Sequence, residues 1–385
     1  MRKLTWMTMV VGLVLGLGSA EARSLRDAIR DAPQLVGVQG GEPFDALADA
    51  FADTAARNLP VISASAGFTY TYNPDLEIFE RASDTLGPIF MERPDTIGQG
   101  KFNFNVSFQY VQFDDYDGDS LGSLQNDNPL ITNLVDGSGN VVGTELINLQ
   151  YRVGFQNYIT ALSATYGILD NLDVNIAVPL IQTTLDVGVV ANAARAHTSE
   201  DAFGVGDILL RGKYRLPLAG DFRAAAGLQF RLPSGNEDDF QGTGDFEASP
   251  GFFVSTILWD RVEPHLNLAL DLVPADFEKG QARYGLGVDV DIIPRVNGSL
   301  AFLGRSQFDG SDQDTDFLHQ TPNGPQLQPL LGADFGRKDF FDLSFGMRVV
   351  VWREVMLFAN GIYALNDDGL RNGTIIPTVG VEGTF

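Results

Sequence analysis

The chain contains no cysteine. That excludes a disulfide framework, thiolate catalysis and any cysteine-ligated metal. Stability must then come from packing or from a closed network of backbone hydrogen bonds. Positive charge is also scarce: 26 Lys and Arg stand against 50 Asp and Glu, a formal charge of -24. Nucleic-acid binding is excluded on that balance, because neutralising phosphates needs clustered cations. Histidine occurs only at 197, 265 and 319, without an HExxH pair, and no glycine-rich phosphate loop is present. His265 has no clear serine partner for a hydrolase-like pair, so the expectation is a protein that is not an enzyme and has no cofactor. Beyond residue 18, no segment reaches the ~18 consecutive apolar residues of a spanning helix.

The one long apolar run, residues 4–18, follows Arg2 and Lys3 and precedes Ala20-Glu21-Ala22. This is the pattern of a secretory signal peptide, with residues 1–22 removed and the mature chain starting at Arg23. The remaining chain is still rich in Phe (27 in all) and Gly (42 in all). Its apolar residues therefore need a home other than a spanning helix.

Two regions follow. Residues 23–99 are mixed and read as a periplasmic or plug-like segment. Within them, 42–58 has Phe44, Leu47, Ala48 and Phe51 on one helical face, and Pro60 stops the helix. Residues 62–72 alternate like a strand, and Pro74, Pro88 and Pro94 interrupt what comes next.

From residue 100 to 385 the period is two. Phe102, Phe104, Val106, Phe108 and Tyr110 alternate with Lys101, Asn103, Asn105, Ser107 and Gln109. Successive strand side chains point to opposite faces, so one face is apolar and the other polar. The dyad recurs in twelve stretches: 100–113, 145–168, 172–190, 204–216, 222–232, 247–259, 264–275, 282–293, 296–308, 339–351, 355–365 and 374–385. Short turns near 170–171, 217–221, 260–263, 294–295 and 353–354 alternate with long polar links at 191–203, 233–246, 274–281, 309–338 and 366–373. Short connections on one side and long ones on the other belong to outer-membrane barrels. Trp259 and Trp352 sit beside predicted short turns, as an interfacial girdle requires, with Tyr166 and Tyr214 close to others.

The expected fold is all-β: a transmembrane antiparallel up-and-down β-barrel of about twelve strands in the outer membrane of a Gram-negative cell. Stretch 145–168 changes its apolar phase near Gln156-Asn157, which implies a bulge or a tight turn. Split there, and with 62–72 added, the count becomes fourteen. The final strand ends on Phe385, which predicts recognition by barrel assembly machinery.

Four stretches carry a family resemblance: YGILDNLDVNIAVPL at 166–180, FGVGDILLRGKYRL at 203–216, GLQFRLPSGN at 227–236 and GTGDF at 242–246. With the later hairpins, over roughly 145–385, the chain resembles the family named after a putative MetA pathway of phenol degradation. Its members are labelled outer-membrane transporters and are linked to aromatic or hydrophobic compounds. A looser similarity is to long-chain fatty-acid and toluene transporters, whose N-terminal segment plugs the barrel. The resemblance implies passive uptake of small hydrophobic or aromatic solutes. The alternative is a non-conducting structural or adhesion barrel.

The polar face places Arg152, Arg211, Lys213, Arg215, Arg223, Arg231, Arg283 and Arg348 in the lumen, with Asp173, Asp271, Asp289, Asp291 and Glu382 among them. These form either a charged constriction that selects permeants or an interior filled by salt bridges. Acidic loop runs form a second group. Asp115, Asp117 and Asp119 have the oxygen chemistry of a weak calcium site without EF-hand spacing, and the bland alternative is an anionic surface bridged by divalent cations to lipopolysaccharide.

Overall fold

The computed structural model describes residues 23–38, 41–57, 70–73, 78–81, 86, 89–135, 141–218, 222–259, 261–293, 295–310, 315–332, 335–352 and 354–385. The expected signal peptide lies outside these residues, as does most of the strand expected at 62–72. Of that stretch only 70–72 are described, within the strand Tyr70–Asn73, which pairs with Ile78–Arg81 in a small hairpin.

Twelve antiparallel strands close into a barrel: β1 (Phe102–Phe113), β2 (Leu149–Leu169), β3 (Leu172–Ala191), β4 (Ile208–Arg215), β5 (Phe222–Leu232), β6 (Glu247–Thr256), β7 (Val262–Asp271), β8 (Gln281–Ile293), β9 (Val296–Gln307), β10 (Asp339–Trp352), β11 (Val355–Ala364) and β12 (Ile376–Thr384). Each pairs with its sequence neighbours, and β12 pairs with β1 to complete the ring. Closure leaves no unpaired edge, which is the condition for a sheet to span lipid. The Phe385 and Phe102 backbones exchange two hydrogen bonds at the seam, 2.7 and 2.8 Å.

The alternation becomes two surfaces. Phe104, Val106, Phe108, Leu266, Leu268, Leu270, Phe345 and Met347 are exposed on the outside, while Asn103, Asn105, Ser107, His265 and Asp271 are buried inside. An apolar exterior with a polar interior fits lipid and is unfavourable in water. Trp259 and Trp352 are exposed at the short-turn end, with Tyr166 and Tyr214 outward near it. This end faces the periplasm.

β2 and β3 are 21 and 20 residues long, about twice the ~9–11 that span a membrane. Their pairing runs unbroken past Gln156-Asn157, so neither a bulge nor a turn causes the change of apolar phase there. The odd-numbered residues point inward throughout, and it is the environment that changes. Toward the short-turn end they include the polar Thr165, Asp173 and Asn175, and toward the other end they are the apolar Tyr151, Phe155, Leu185 and Val187. Twelve strands, not fourteen, form the ring. The link expected at 191–203 is mostly the strand Ala194–Val205, paired with the upper half of β3. Wet on its outer side, it carries no apolar dyad to read.

The inward apolar residues of the upper barrel meet two helices, α1 (Leu25–Arg30) and α2 (Glu42–Arg57). Phe44, Leu47, Ala48 and Phe51 of α2 are buried in one cluster with Tyr151, Phe155, Leu185, Val187 and Phe240. The Phe51, Phe155 and Phe240 rings lie 5.5–6.3 Å apart in edge or tilted contacts, a favoured aromatic geometry. α1 begins at Ser24, whose side chain accepts from the Asp27 N–H, and it escaped the sequence reading because six residues are too few for a period.

Candidate functional site in the barrel lumen

Below the helices the chain descends inside the barrel to the start of β1. Residues 89–97 are almost entirely buried, and inward-facing strand residues hold much of the segment. Arg348 donates to the Leu86 carbonyl at 2.6 Å, and Lys213 to the Arg93 carbonyl at 3.0 Å. Arg93 pairs with Glu263 at 3.0 Å, and Asp95 with Arg223 at 2.6 Å and Arg215 at 3.7 Å. The Ile97 N–H donates to Asp173 at 3.0 Å. At the lower rim the Gly100 N–H donates to the Gly167 carbonyl, and a side chain at Gly167 would strike the Gly98 backbone, so the residue must be glycine. Beside this cluster His265 Nε2 lies 2.7 Å from Asp289, both fully buried.

Met91 lies over Gly285 and Gly287 of β8. A Cβ at Gly287 would come within 2.7 Å of its sulfur and 3.0 Å of Ala301 Cβ. Gly287→Val keeps the extended backbone but should displace Met91. Single-channel recordings of the folded variant should then show several-fold higher conductance, with a lower heat-modification temperature. Unchanged conductance would mean Met91 is no part of the seal.

Between this lower seal and the end of α2 lies a cavity of about 220 Å³. Phe90, Met91 and Glu92 form its floor, Arg57 caps it, and β4 to β11 supply much of its wall. Of the arginines expected in the lumen, Arg211, Arg231 and Arg283 line it together with Lys213. Arg211 donates to Gln229 at 2.8 Å and Asn175 at 3.4 Å. Arg283 makes two 2.7 Å bonds to Asp271. Arg231 approaches Glu247 at 3.7 Å and Asp207 at 3.9 Å. Arg57, Arg305 and Arg371 also line the cavity and were not foreseen. Arg57 bonds Asp53 at 2.8 Å and Asp245 at 2.9 Å, while its carbonyl accepts from Arg305 at 3.2 Å. Phe340 is held between guanidiniums, with Arg305 4.5 Å and Arg371 4.8 Å from its centroid.

The remaining expected residues separate by height. Arg215, Arg223 and Arg348 hold the descending segment, so the basic row on β4 and β5 is not one wall patch. Asp291 lies near the periplasmic turn, 3.4 Å from Asn297. Glu382 accepts from Asn103 at 2.9 Å and lies 3.6 Å from Arg348. Arg152 is a correction: it is exposed on the outer face of β2 above the membrane, because the apolar side there faces the helices and not lipid.

The acidic triplet is engaged largely by its own loops. Among the described residues no group of three such side chains is placed to hold a metal ion. Asp117 bonds Lys338 at 2.7 Å and accepts the Gly369 N–H at 2.6 Å, and Asp115 accepts the Gly118 N–H. Burial and the Asp367, Asp114 and Asp119 carboxylates raise the Asp115 pKa, against the lowering effect of that N–H. The turn thus spends these oxygens on its own folding. Asp312 and Asp314 of the later acidic run lie outside the described residues.

A closed barrel with an apolar belt, a polar lumen and long loops at one end defines an outer-membrane β-barrel protein. The family described as putative MetA-pathway of phenol degradation matches residues 132–282, and the chain resembles that family over the span from the first long loop into β8. The hairpins after β8 lie outside the match. No curated protein matches the sequence. Similar solved structures include an outer-membrane channel of Pseudomonas putida F1, 13% identical, covering 76% of this chain and 97% of that chain with a TM-score of 0.47. The NanC porin is 9% identical over 73% and 98%, with a TM-score of 0.39. A FadL homologue of Pseudomonas aeruginosa is 10% identical over 74% and 89%, with a TM-score of 0.33.

Proposed function

We propose that the barrel carries small molecules with an aromatic or hydrophobic body across the outer membrane, by passive entry through the lumen. The observation that carries this reading is the chamber at mid-lumen, where Phe90, Met91, Phe113 and Phe253 offer apolar surface beside the polar groups of the lumen wall. A barrel built only as a scaffold has no need of an apolar-faced cavity between its fillings. The segment below the chamber is held by ion pairs and hydrogen bonds, which can part and reform, so passage is gated rather than open. The family's link to phenol degradation agrees with this substrate size. A non-conducting barrel is the second reading, favoured by the buried Arg93 cluster that fills the periplasmic half.

Uptake of a radiolabelled monoaromatic compound by intact cells separates the two. Lipopolysaccharide slows apolar solutes at the cell surface, so cells with the protein should accumulate the compound several-fold faster than cells without it. Uptake of a sugar of similar mass should stay the same. Equal aromatic uptake by both strains would leave the structural barrel as the function.

A further inference from the structure

We propose that Arg57 is the upper gate of the chamber, closing on Asp245 and opening onto Asp53 alone to admit the solute from an outer vestibule. This deepens the transport reading and rests on it for its biological use. The vestibule is a second cavity, of about 380 Å³, at the long-loop end of the barrel. Asp49, Asp53 and Thr54 of α2 line it from one element, and Lys279, Asp309 and Phe340 from others. Lys279 and Asp309 are exposed, so this cavity meets the outside. Among the described residues, Arg57 is the side chain common to the linings of the vestibule and the chamber. It closes α2, and its carbonyl, accepting from Arg305 at 3.2 Å, ties the helix end to β9. The guanidinium can therefore swing while the helix stays in place.

Asp245 is built as the fixed half of the latch. Three of the stretches that carry the family resemblance meet around it. Asp207, buried just before β4, accepts the Gly235 N–H at 3.1 Å and the Thr243 N–H at 2.9 Å. Ser234 accepts the Ile208 N–H at 2.9 Å. Gly244 then takes a φ of +69°, a left-handed conformation that glycine adopts without strain. Asp245 follows, and one of its oxygens accepts from Arg57 at 2.9 Å and from Lys279 at 3.0 Å. Arg57 is bonded in turn to Asp53 at 2.8 Å. Parting Arg57 from Asp245 thus leaves Arg57 with Asp53 and Asp245 with Lys279. A buried ion pair is costly to break when it strands a charge. This one strands neither, which is what a gate requires.

The chain has no cysteine, so single introduced thiols report the path. Ala269→Cys places one on the chamber wall, Thr54→Cys one in the vestibule, and Ala301→Cys one at the lower seal. Purified full-length protein in detergent is treated with an anionic methanethiosulfonate reagent, and labelling is followed by mass. With Arg57 intact, Ala269→Cys should label at least tenfold more slowly than Thr54→Cys. Adding Arg57→Gln should accelerate labelling of Ala269→Cys at least tenfold and change the other two less than twofold. Losing a positive charge by itself slows the approach of an anion, so acceleration reads opening. Asp245→Asn should accelerate it too, and stands in if Arg57→Gln loses its heat-modified migration. Equal rates for chamber and vestibule thiols with Arg57 intact overturn the gate, and that comparison needs no gate variant. A folded Arg57→Gln protein whose chamber thiol stays slow also overturns it. So does equal acceleration of Ala301→Cys, which would mean that the whole lumen filling has loosened. Aromatic uptake by cells whose chamber thiol is ungated removes the gate and leaves transport standing. A gated thiol in a protein that gives no aromatic uptake removes transport and keeps the gate.

Discussion

Glu263→Ala should destabilise the folded barrel by about 3–5 kcal/mol, the usual cost of leaving one member of a buried ion pair uncompensated. Glu263 is fully buried on β7, with one oxygen 3.0 Å from Arg93 and the other accepting from Ser255 at 2.8 Å. Without it, Arg93 loses the carboxylate at 3.0 Å, and Asp95, 3.8 Å away, is already shared with Arg223 and Arg215. The heat-modified band on an unboiled gel and a urea titration should both report the loss. Arg93→Met/Glu263→Gln should recover much of it, since removing both charges also removes their desolvation cost. A Glu263→Ala protein as stable as wild type would mean the descending segment is not anchored by this pair.

Much of the fold was legible because lipid and lumen impose opposite chemistry on alternate residues. The ranges expected for β5, β8, β9 and β11 differ from those observed by one residue or none at each end. The rule failed where its premise failed. Above the membrane, β2 and β3 face water outside and helices inside, so the apolar phase inverts and Arg152 was assigned to the wrong face. Strand length carried the missing signal, since 21 residues cannot all lie within the bilayer. The buried face of α2 carried another: Phe44 and Phe51 needed an apolar partner, and the inverted phase of β2 is that partner.

The site was half legible. Arg211, Arg231 and Arg283 followed from strand parity, and the same parity on β9 would have placed Arg305 inward. Leu303, also inward, and Gly304, outward, blurred the pattern there. Glu263 was hidden by assignment to a turn. Arg57, Arg93 and Asp95 belong to no period at all. Arg57 closes a helix, the other two flank Pro94, and only the path of the chain through the lumen brings them to Asp245, Glu263 and Arg223.

Leu268→Arg and Asn267→Arg, one residue apart on β7, should then have unequal effects. Leu268 is 47% exposed on the outer face, opposite Phe252 and Tyr284 of the flanking strands. An arginine near the bilayer midplane on that face costs ~2–4 kcal/mol, because its guanidinium must leave water for hydrocarbon. Asn267 faces the chamber, where an added guanidinium meets polar groups, the cavity and Glu92. Its penalty is repulsion from the neighbouring arginines, eased by the hydration the chamber allows. A refolding titration into lipid should show Leu268→Arg strongly destabilised or unable to assemble, with Asn267→Arg folding at nearly wild-type denaturant concentrations. Equal midpoints would place the β7 register one residue away from the pairing of Leu268 with Tyr284, and with it every lumenal assignment on that strand.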